Sequence, residues 1–154
     1  MRHKINTSWA GNMQFEADVT GYKVVMDAAT EVGGEGKGAR PKQLMMAALA
    51  GCTGMDVISI LKKMRVEVEN FDIEIEADMT DEHPKHYYKV HIIYKFKGKN
   101  LDEAKLKKAI DLSQDQYCGV SATYRKTMEL TYEIVILQPD DQNSQKITNQ
   151  QFKN

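Results

Sequence analysis

A long apolar helix is the feature that most restricts how this chain can fold. Pro41 suits the first turn of a helix, where its missing N–H costs little. No helix breaker follows before Met64 apart from Gly51 and Gly54, and between positions 44 and 61 the helix is apolar on nearly every side. A helix of this kind has to be enclosed by other structure. The rest of the chain is therefore expected to wrap around it.

Strand candidates flank this helix on both sides. Three short runs with alternating or β-branched character precede it, and the turn residues between them indicate a β-meander. Two longer alternating runs follow it and are predicted to pair as a hairpin, with a bulge near Asn70 where the alternation changes phase. These candidates occupy residues 3–9, 13–19, 22–28, 66–79 and 85–98.

The remaining segments complete an α+β pattern. Residues 100–116 form an amphipathic helix that Asn100 can cap, a short helical turn follows Cys118, and 128–137 is a last strand. The order βββαββααβ predicts an antiparallel sheet around a long buried central helix. We expect one domain over residues 1–137 and a polar, disordered tail over 138–154, which is rich in Gln and Asn.

Composition narrows the possible partners and the compartment. The chain has 154 residues and a formal charge of -1, so nothing in its charge favours binding to nucleic acid or to a membrane surface. No apolar run is expected to reach the roughly 20 residues of a membrane span, and the amino terminus lacks a signal-peptide core. These features predict a cytoplasmic protein. In that compartment its two cysteines are expected to be reduced, and catalytic or redox-sensing rather than a permanent disulfide.

The two cysteines differ in their surroundings. Cys52 lies within the apolar helix, where a free thiol often serves only as a small packing residue. Cys118 precedes a glycine and a short helix, so its sulfur is expected near free backbone N–H groups, which favour a thiolate. The pair is compatible with an attacking and a resolving thiol. Packing and redox chemistry both remain open for Cys52 at this point.

Two motifs together resemble those of the OsmC/Ohr family, the osmotically inducible protein C and organic hydroperoxide resistance proteins. The first motif leads through a glycine, a proline and a leucine into a helix that carries a cysteine. The second is Cys-x-x-Ser, well downstream. In this sequence the matching residues are Gly38, Pro41, Leu44, Cys52, Cys118 and Ser121.

The resemblance implies an intertwined homodimer with thiol peroxidase activity. Cys52 would be the peroxidatic cysteine, Cys118 would resolve its sulfenic acid as a disulfide, and an external dithiol would reduce that disulfide. Apolar residues such as Met45, Leu49 and Met55 would line the site and favour organic hydroperoxides. The resemblance implies no metal and no organic cofactor.

One departure points to an OsmC-like branch rather than a true Ohr enzyme. An ordinary thiol is mostly protonated at neutral pH, so a reactive Cys52 needs a cation nearby. Ohr-type members place a Glu directly after the proline, where this chain has Lys42. Arg40 is the candidate for stabilising the thiolate, and Asp56, one turn beyond Cys52, is expected to pair with Arg40 or to lie at an interface. The alternative function is a dimer that acts as a thiol sensor or binds an apolar small molecule.

Overall fold

The computed structural model describes residues 1–137 and 145–151, the second range only as a strand. The helices and strands follow the order expected from the sequence, with one further strand at the end. The elements are β1 (Asn6–Gly11), β2 (Gln14–Val19), β3 (Tyr22–Met26), α1 (Pro41–Lys63), β4 (Asn70–Met79), β5 (Tyr87–Lys97), α2 (Glu103–Leu112), α3 (Gly119–Tyr124), β6 (Glu129–Leu137) and β7 (Gln145–Gln151).

The first compact unit, Met1–Ala47, contains the predicted meander. Its three strands pair antiparallel in the order β1-β2-β3. Asn12 and Gly21 take positive φ angles of 45° and 87° in the two turns, a conformation that Asn and Gly adopt more readily than other residues. The prediction of a β-meander is therefore confirmed.

A buried carboxylate organises the loop that follows β3. Asp27 is 2% exposed, and its two oxygens accept backbone N–H hydrogen bonds from Ala28 at 2.8 Å, Glu35 at 3.0 Å and Lys37 at 3.0 Å. The hydrogen bond from Lys37 is the largest influence that lowers the pKa of Asp27, and the bonds from Glu35 and Ala28 act in the same direction against the effect of burial. The Gly-rich segment is thus tied down by backbone bonds to one charged group.

The second compact unit, Ala48–Asn154, contains a four-stranded sheet in the order β4-β5-β6-β7. β4 and β5 form the predicted antiparallel hairpin. β6, however, runs parallel to β5, so the expectation of a wholly antiparallel sheet is wrong at this pair. The reason is the connection, because α2 and α3 lie between the two strands in sequence and a crossover of this length returns the chain in the same direction.

The carboxyl-terminal part of α1 packs into the core of this second unit. Leu49, Val57 and Leu61 are at most 1% exposed and belong to the same apolar cluster as β5, β6 and α2. Gly54 lies where an added Cβ would come within 3.0 Å of Ile73 Cδ1, so its lack of a side chain lets the helix approach β4 closely. Met55 is 72% exposed. Within a single chain, α1 therefore buries one face and leaves part of its apolar surface open.

The same helix bears on the question of a membrane span. Among the residues that the structure describes, α1 is the one helix long and apolar enough to cross a membrane by length and composition, with a mean hydropathy of 1.8. The expectation that no apolar run reaches that size is therefore wrong. Leu49 and Val57 of this helix are completely buried in a core shared with sheet strands.

Three local predictions need correction. β4 begins at Asn70, so the phase change there marks the start of the strand, and the irregularity in its pairing lies at Asp78 and Met79 instead. Asp102 rather than Asn100 caps α2, because its side chain accepts the N–H of Ala104 at 2.9 Å while Asn100 takes a positive φ.

The third correction concerns the polar tail. Gln145–Gln151 forms β7, antiparallel to β6, where disorder was expected. Backbone groups along the open edge of a strand can pair with another strand whatever its side chains, so a polar composition did not exclude this strand. The rest of the expected tail, 138–144 and 152–154, lies outside the described residues. The single-domain boundary at residue 137 stays a prediction.

Candidate functional site

α1 supplies two chemically active side chains on one face. Cys52 and Asp56 are one helical turn apart, a spacing that makes them neighbours on the helix surface. Both are half-buried. Thr53, next to Cys52, points into the core and is fully buried. This part of the helix therefore presents a thiol and a carboxylate side by side, with access from outside.

A local distortion positions the second thiol. After α2 the chain forms a π-helical turn, Ser113–Tyr117, in which the N–H of Cys118 donates to the carbonyl oxygen of Ser113 at 2.7 Å. Such turns are rare and often lie at functional sites. Cys118 then caps α3, because its Sγ accepts the N–H of Ser121 at 3.4 Å. The prediction that this sulfur lies near free N–H groups at a helix start is confirmed.

The two thiols and the acid meet in one place. The Sγ atoms of Cys52 and Cys118 and a carboxylate oxygen of Asp56 all lie within 4.8 Å of one another. Both cysteines are free. The fold thus brings Cys52 and Cys118 together, although they are far apart in the sequence.

The surroundings of Cys118 favour its protonated form. Burial is the main cause that raises the pKa of the Cys118 thiol, and the hydrogen bond to Cys52 adds to it, while the hydrogen bonds from Ser121 oppose it. One acidic group, the carboxylate of Asp56, lies within 4.8 Å of both sulfurs. A carboxylate disfavours a thiolate beside it, so any activating cation has to outweigh this charge.

A buried polar network lies beside the thiols. Thr53 Oγ1 is 2.7 Å from the Tyr94 hydroxyl and 3.0 Å from Ser113 Oγ, and Gln114 Nε2 donates to Thr53 Oγ1 at 3.0 Å and to Tyr94 at 2.8 Å. Ser113 Oγ also donates to Asp56 Oδ2 at 3.2 Å. This network was not predicted from the sequence. Its one signal was the placement of Thr53 between apolar positions of a core helix.

The other predicted site residues have different outcomes. Arg40 lies in the first unit, and its guanidinium donates to the carbonyl oxygens of Asp27 at 3.2 Å and Gly38 at 2.9 Å. Leu49 is 0% exposed and belongs to the same apolar cluster as Cys118, and its contact with a substrate stays a prediction. Met45 and Met55 are 37% and 72% exposed. The role of Arg40 toward a thiolate stays a prediction, as does any role of Lys42, which is exposed.

The first unit also contains an apolar cavity. Its volume is about 320 Å³, and most of its lining is apolar, including Met13, Phe15 and Met26. Asp27, Ala28, Thr7 and Pro41 complete the lining. A cavity of this size is at the lower end of the range that binds small organic ligands.

The fold and the paired cysteines define the class of this protein. The sequence model of the OsmC-like protein family matches residues 34–133, a range that includes both cysteines and the network around them. The chain belongs to the OsmC-like protein family. Its structural neighbours include proteins described as OsmC and as organic hydroperoxide resistance proteins, so the resemblance drawn from the two motifs is confirmed.

Individual relatives support this assignment over nearly the whole chain. The chain is 28% identical to Protein YhfA of Escherichia coli over 131 residues, which are 82% of this chain and 94% of YhfA. It is similar to a hypothetical protein from Aquifex aeolicus, with a TM-score of 0.80, 26% identity, and coverage of 91% and 99% of the two chains. The organic hydroperoxide resistance protein OhrB of Bacillus subtilis shares the fold, with a TM-score of 0.63, 17% identity, and coverage of 86% and 98%. The similarity to YhfA makes the OsmC-like branch plausible.

Proposed function

We propose that this chain is a thiol-dependent peroxidase that reduces organic hydroperoxides in the cytoplasm. The proposal is supported by one observation above all, the approach of the Cys52 and Cys118 sulfurs to within 4.8 Å. A disulfide requires a close and specific geometry of the two side chains. Two free thiols at this distance need a side-chain adjustment rather than a refolding of the backbone to join.

The proposed reaction has three balanced steps. The Cys52 thiolate attacks the outer oxygen of the hydroperoxide, the O–O bond breaks, and the alkoxide leaves as an alcohol after taking up a proton. The sulfenic acid on Cys52 then reacts with Cys118, forming the disulfide and releasing water. An external dithiol reduces that disulfide by thiol–disulfide exchange and is itself oxidised to a disulfide.

The roles of the two cysteines follow from their burial. Cys52 is half-buried and can meet a substrate, whereas Cys118 is 2% exposed and is suited to act only after Cys52 is oxidised. The high pKa of Cys118 fits this order, because a protonated resolving thiol does not compete for the peroxide.

The proposal includes a homodimer in which Arg40 stabilises the Cys52 thiolate. The exposed apolar surface of α1, where Met55 is 72% exposed, supports an interface there. The guanidinium of Arg40 donates to backbone carbonyls, which fix its position, and its charge also interacts with the Asp27 carboxylate, whose pKa it lowers. A positive charge of this kind is needed to offset the negative charge of Asp56 if Cys52 is to form a thiolate.

Two observations favour a second candidate, a dimer that senses oxidants or binds an apolar molecule without peroxidase turnover. Asp56 beside both sulfurs disfavours the thiolate that catalysis requires. The apolar cavity of about 320 Å³ in the first unit offers a place for a small apolar ligand.

Anaerobic thiol titration before and after one equivalent of cumene hydroperoxide separates the two candidates. The peroxidase predicts rapid loss of both thiols and an intramolecular Cys52–Cys118 disulfide, seen as a mass decrease of about two hydrogens. In Cys52→Ser the remaining thiol should survive. In Cys118→Ser a sulfenic acid should accumulate and be trapped by dimedone. Persistence of both thiols in the wild type, with cumene hydroperoxide unconsumed, would favour the binding protein. Loss of the thiols once, without consumption of further equivalents in excess dithiothreitol, would favour the sensor.

A further inference from the structure

The three side chains that meet at the thiol pair have the composition of a metal site. Two cysteine sulfurs and one carboxylate oxygen lie within 4.8 Å of one another. In a tetrahedral zinc site, bonds of about 2.3 Å to sulfur and 2.0 Å to oxygen separate the ligand atoms by roughly 3.5–3.8 Å. The ligand atoms of Cys52, Cys118 and Asp56 lie at most 4.8 Å apart, so they need to close by about 1.3 Å at most to take up that geometry.

We propose that Cys52, Cys118 and Asp56 form a three-ligand site for a thiophilic divalent cation, Zn²⁺ in particular. Thiolates select Zn²⁺ over Mg²⁺ and Ca²⁺, which prefer oxygen ligands. Two thiolates and a carboxylate carry three negative charges, which the cation reduces to one. Three protein ligands leave a fourth position for water or a small molecule, and the half-buried state of Cys52 and Asp56 gives access to it.

Neighbouring groups hold the ligands in the way that metal sites require. Ser113 Oγ donates to Asp56 Oδ2 at 3.2 Å and is itself fully buried and fixed by Thr53 at 3.0 Å. The N–H of Ser121 donates to Cys118 Sγ at 3.4 Å. Such outer hydrogen bonds orient metal ligands and tune their affinity. α1 supplies Cys52 and Asp56, and Cys118 occupies the N-cap position of α3, directly after the π-helical turn.

Metal binding and disulfide formation exclude each other at this site, because a disulfide consumes both sulfur ligands. The inference stands independently of the proposed peroxidase, since a reduced chain can bind the cation whether or not it reduces peroxides. If both hold, the cation protects the thiols and a hydroperoxide has to displace it before or as the sulfurs are oxidised.

Cobalt titration of the full chain tests the site, with the protein reduced by a phosphine and kept anaerobic. We expect one equivalent of Co²⁺ per chain to produce a thiolate-to-cobalt charge-transfer band and the visible absorption of tetrahedral Co²⁺, both abolished by Zn²⁺. Cys52→Ser and Cys118→Ser should each lower the charge-transfer band to about half. Asp56→Asn should keep both sulfur ligands yet weaken Co²⁺ affinity at least about tenfold.

Asp115→Asn is the matched control, because Asp115 precedes Cys118 by one helical turn but is paired with Arg125. The Asp115→Asn variant should bind Co²⁺ with the same affinity as the wild type. Far-UV circular dichroism verifies that each variant is folded, and the Asp56→Asn and Asp115→Asn pair decides the test if a cysteine variant unfolds. Lack of a charge-transfer band in the reduced wild type would overturn the proposal. So would equal affinities for Asp56→Asn and Asp115→Asn.

Discussion

Asp27 and Cys118 are each 2% exposed, yet their surroundings drive their ionisation in opposite directions. Three backbone N–H groups, led by that of Lys37, lower the pKa of Asp27. Burial raises the pKa of Cys118, and the hydrogen bonds from Ser121 offset it only in part. Backbone hydrogen bonds thus favour the charged form of the Asp27 carboxyl, whereas burial favours the neutral form of the Cys118 thiol.

The partners of the two centres differ as well. Asp27 is satisfied by main-chain donors, which cannot be changed by substituting a single neighbour. The thiol centre is surrounded by side-chain hydrogen bonds, and within the described residues Gln114 Oε1 is buried without a hydrogen-bond partner. Unsatisfied buried polar groups are uncommon in proteins and often accompany function. The comparison therefore favours a structural role for Asp27 and supports the proposed chemical role of the region around Cys118.

The largest effect on stability is expected at Asp27. Asp27→Ala removes one charged acceptor from three backbone donors at once, and charge-assisted hydrogen bonds are stronger than neutral ones. We expect a larger decrease in Tm at pH 7 than for any substitution below. Differential scanning calorimetry measures this loss.

The pH dependence of this effect has a definite sign. The pKa of Asp27 is lower in the folded chain than its ordinary value of 3.8. Its contribution is therefore fully present above that value and is lost as the pH falls through the folded pKa. The difference in Tm between wild type and Asp27→Asn should be constant from pH 7 to about 5 and shrink below about 4. A difference that grows on acidification would contradict the assignment of Asp27 as a charged group.

Gln114→Ala should cause the next largest loss, about 3 kcal/mol in the free energy of unfolding. The substitution leaves a cavity and removes the hydrogen bonds that Nε2 donates to Thr53 and Tyr94. Gln114→Leu is the matched control, since it fills most of the space and also removes the unpartnered Oε1, and should cost about 1 kcal/mol or less. Urea unfolding measures both. Equal losses would show that the hydrogen bonds, rather than packing, give this side chain its importance.

More of the fold than of the candidate site could be predicted from the sequence. Periodicity and turn residues were enough for α1, the meander and the β4–β5 hairpin, because those patterns depend on neighbours in the sequence. The parallel pairing of β6 and the strand Gln145–Gln151 depend on where the chain returns in space. The burial of Gln114 in the polar segment "SQDQ" depends on a π-helical turn, which has no recognisable sequence signal. Cys52 and Cys118 could be named individually, but their approach to within 4.8 Å is a property of the folded chain.

Alkylation kinetics test the neutral state of Cys118. In Cys52→Ser, Cys118 is the only thiol left in the chain. Because only the thiolate reacts and its pKa is raised, the rate with iodoacetamide should rise about tenfold per pH unit from pH 7 and should not level off by pH 9. The same chain unfolded in urea should level off near the ordinary thiol pKa of about 8.5. A plateau below pH 8 in the folded variant would place Cys118 among the activated thiols and would remove the contrast with Asp27.

Tyr94→Phe should have the smallest effect, about 1 kcal/mol in the free energy of unfolding. The ring stays in the core, and only the hydroxyl that contacts Thr53 and Gln114 is lost. Those two residues keep their own hydrogen bond of 3.0 Å, so neither is left without a partner. Urea unfolding and the alkylation rate of Cys118 should be measured together, and the rate should not change. A loss of stability as large as that of Gln114→Ala would mean that the hydrogen bonds of the network form and break together. In that case the side-chain hydrogen bonds beside the thiols would be as hard to disrupt as the backbone hydrogen bonds to Asp27.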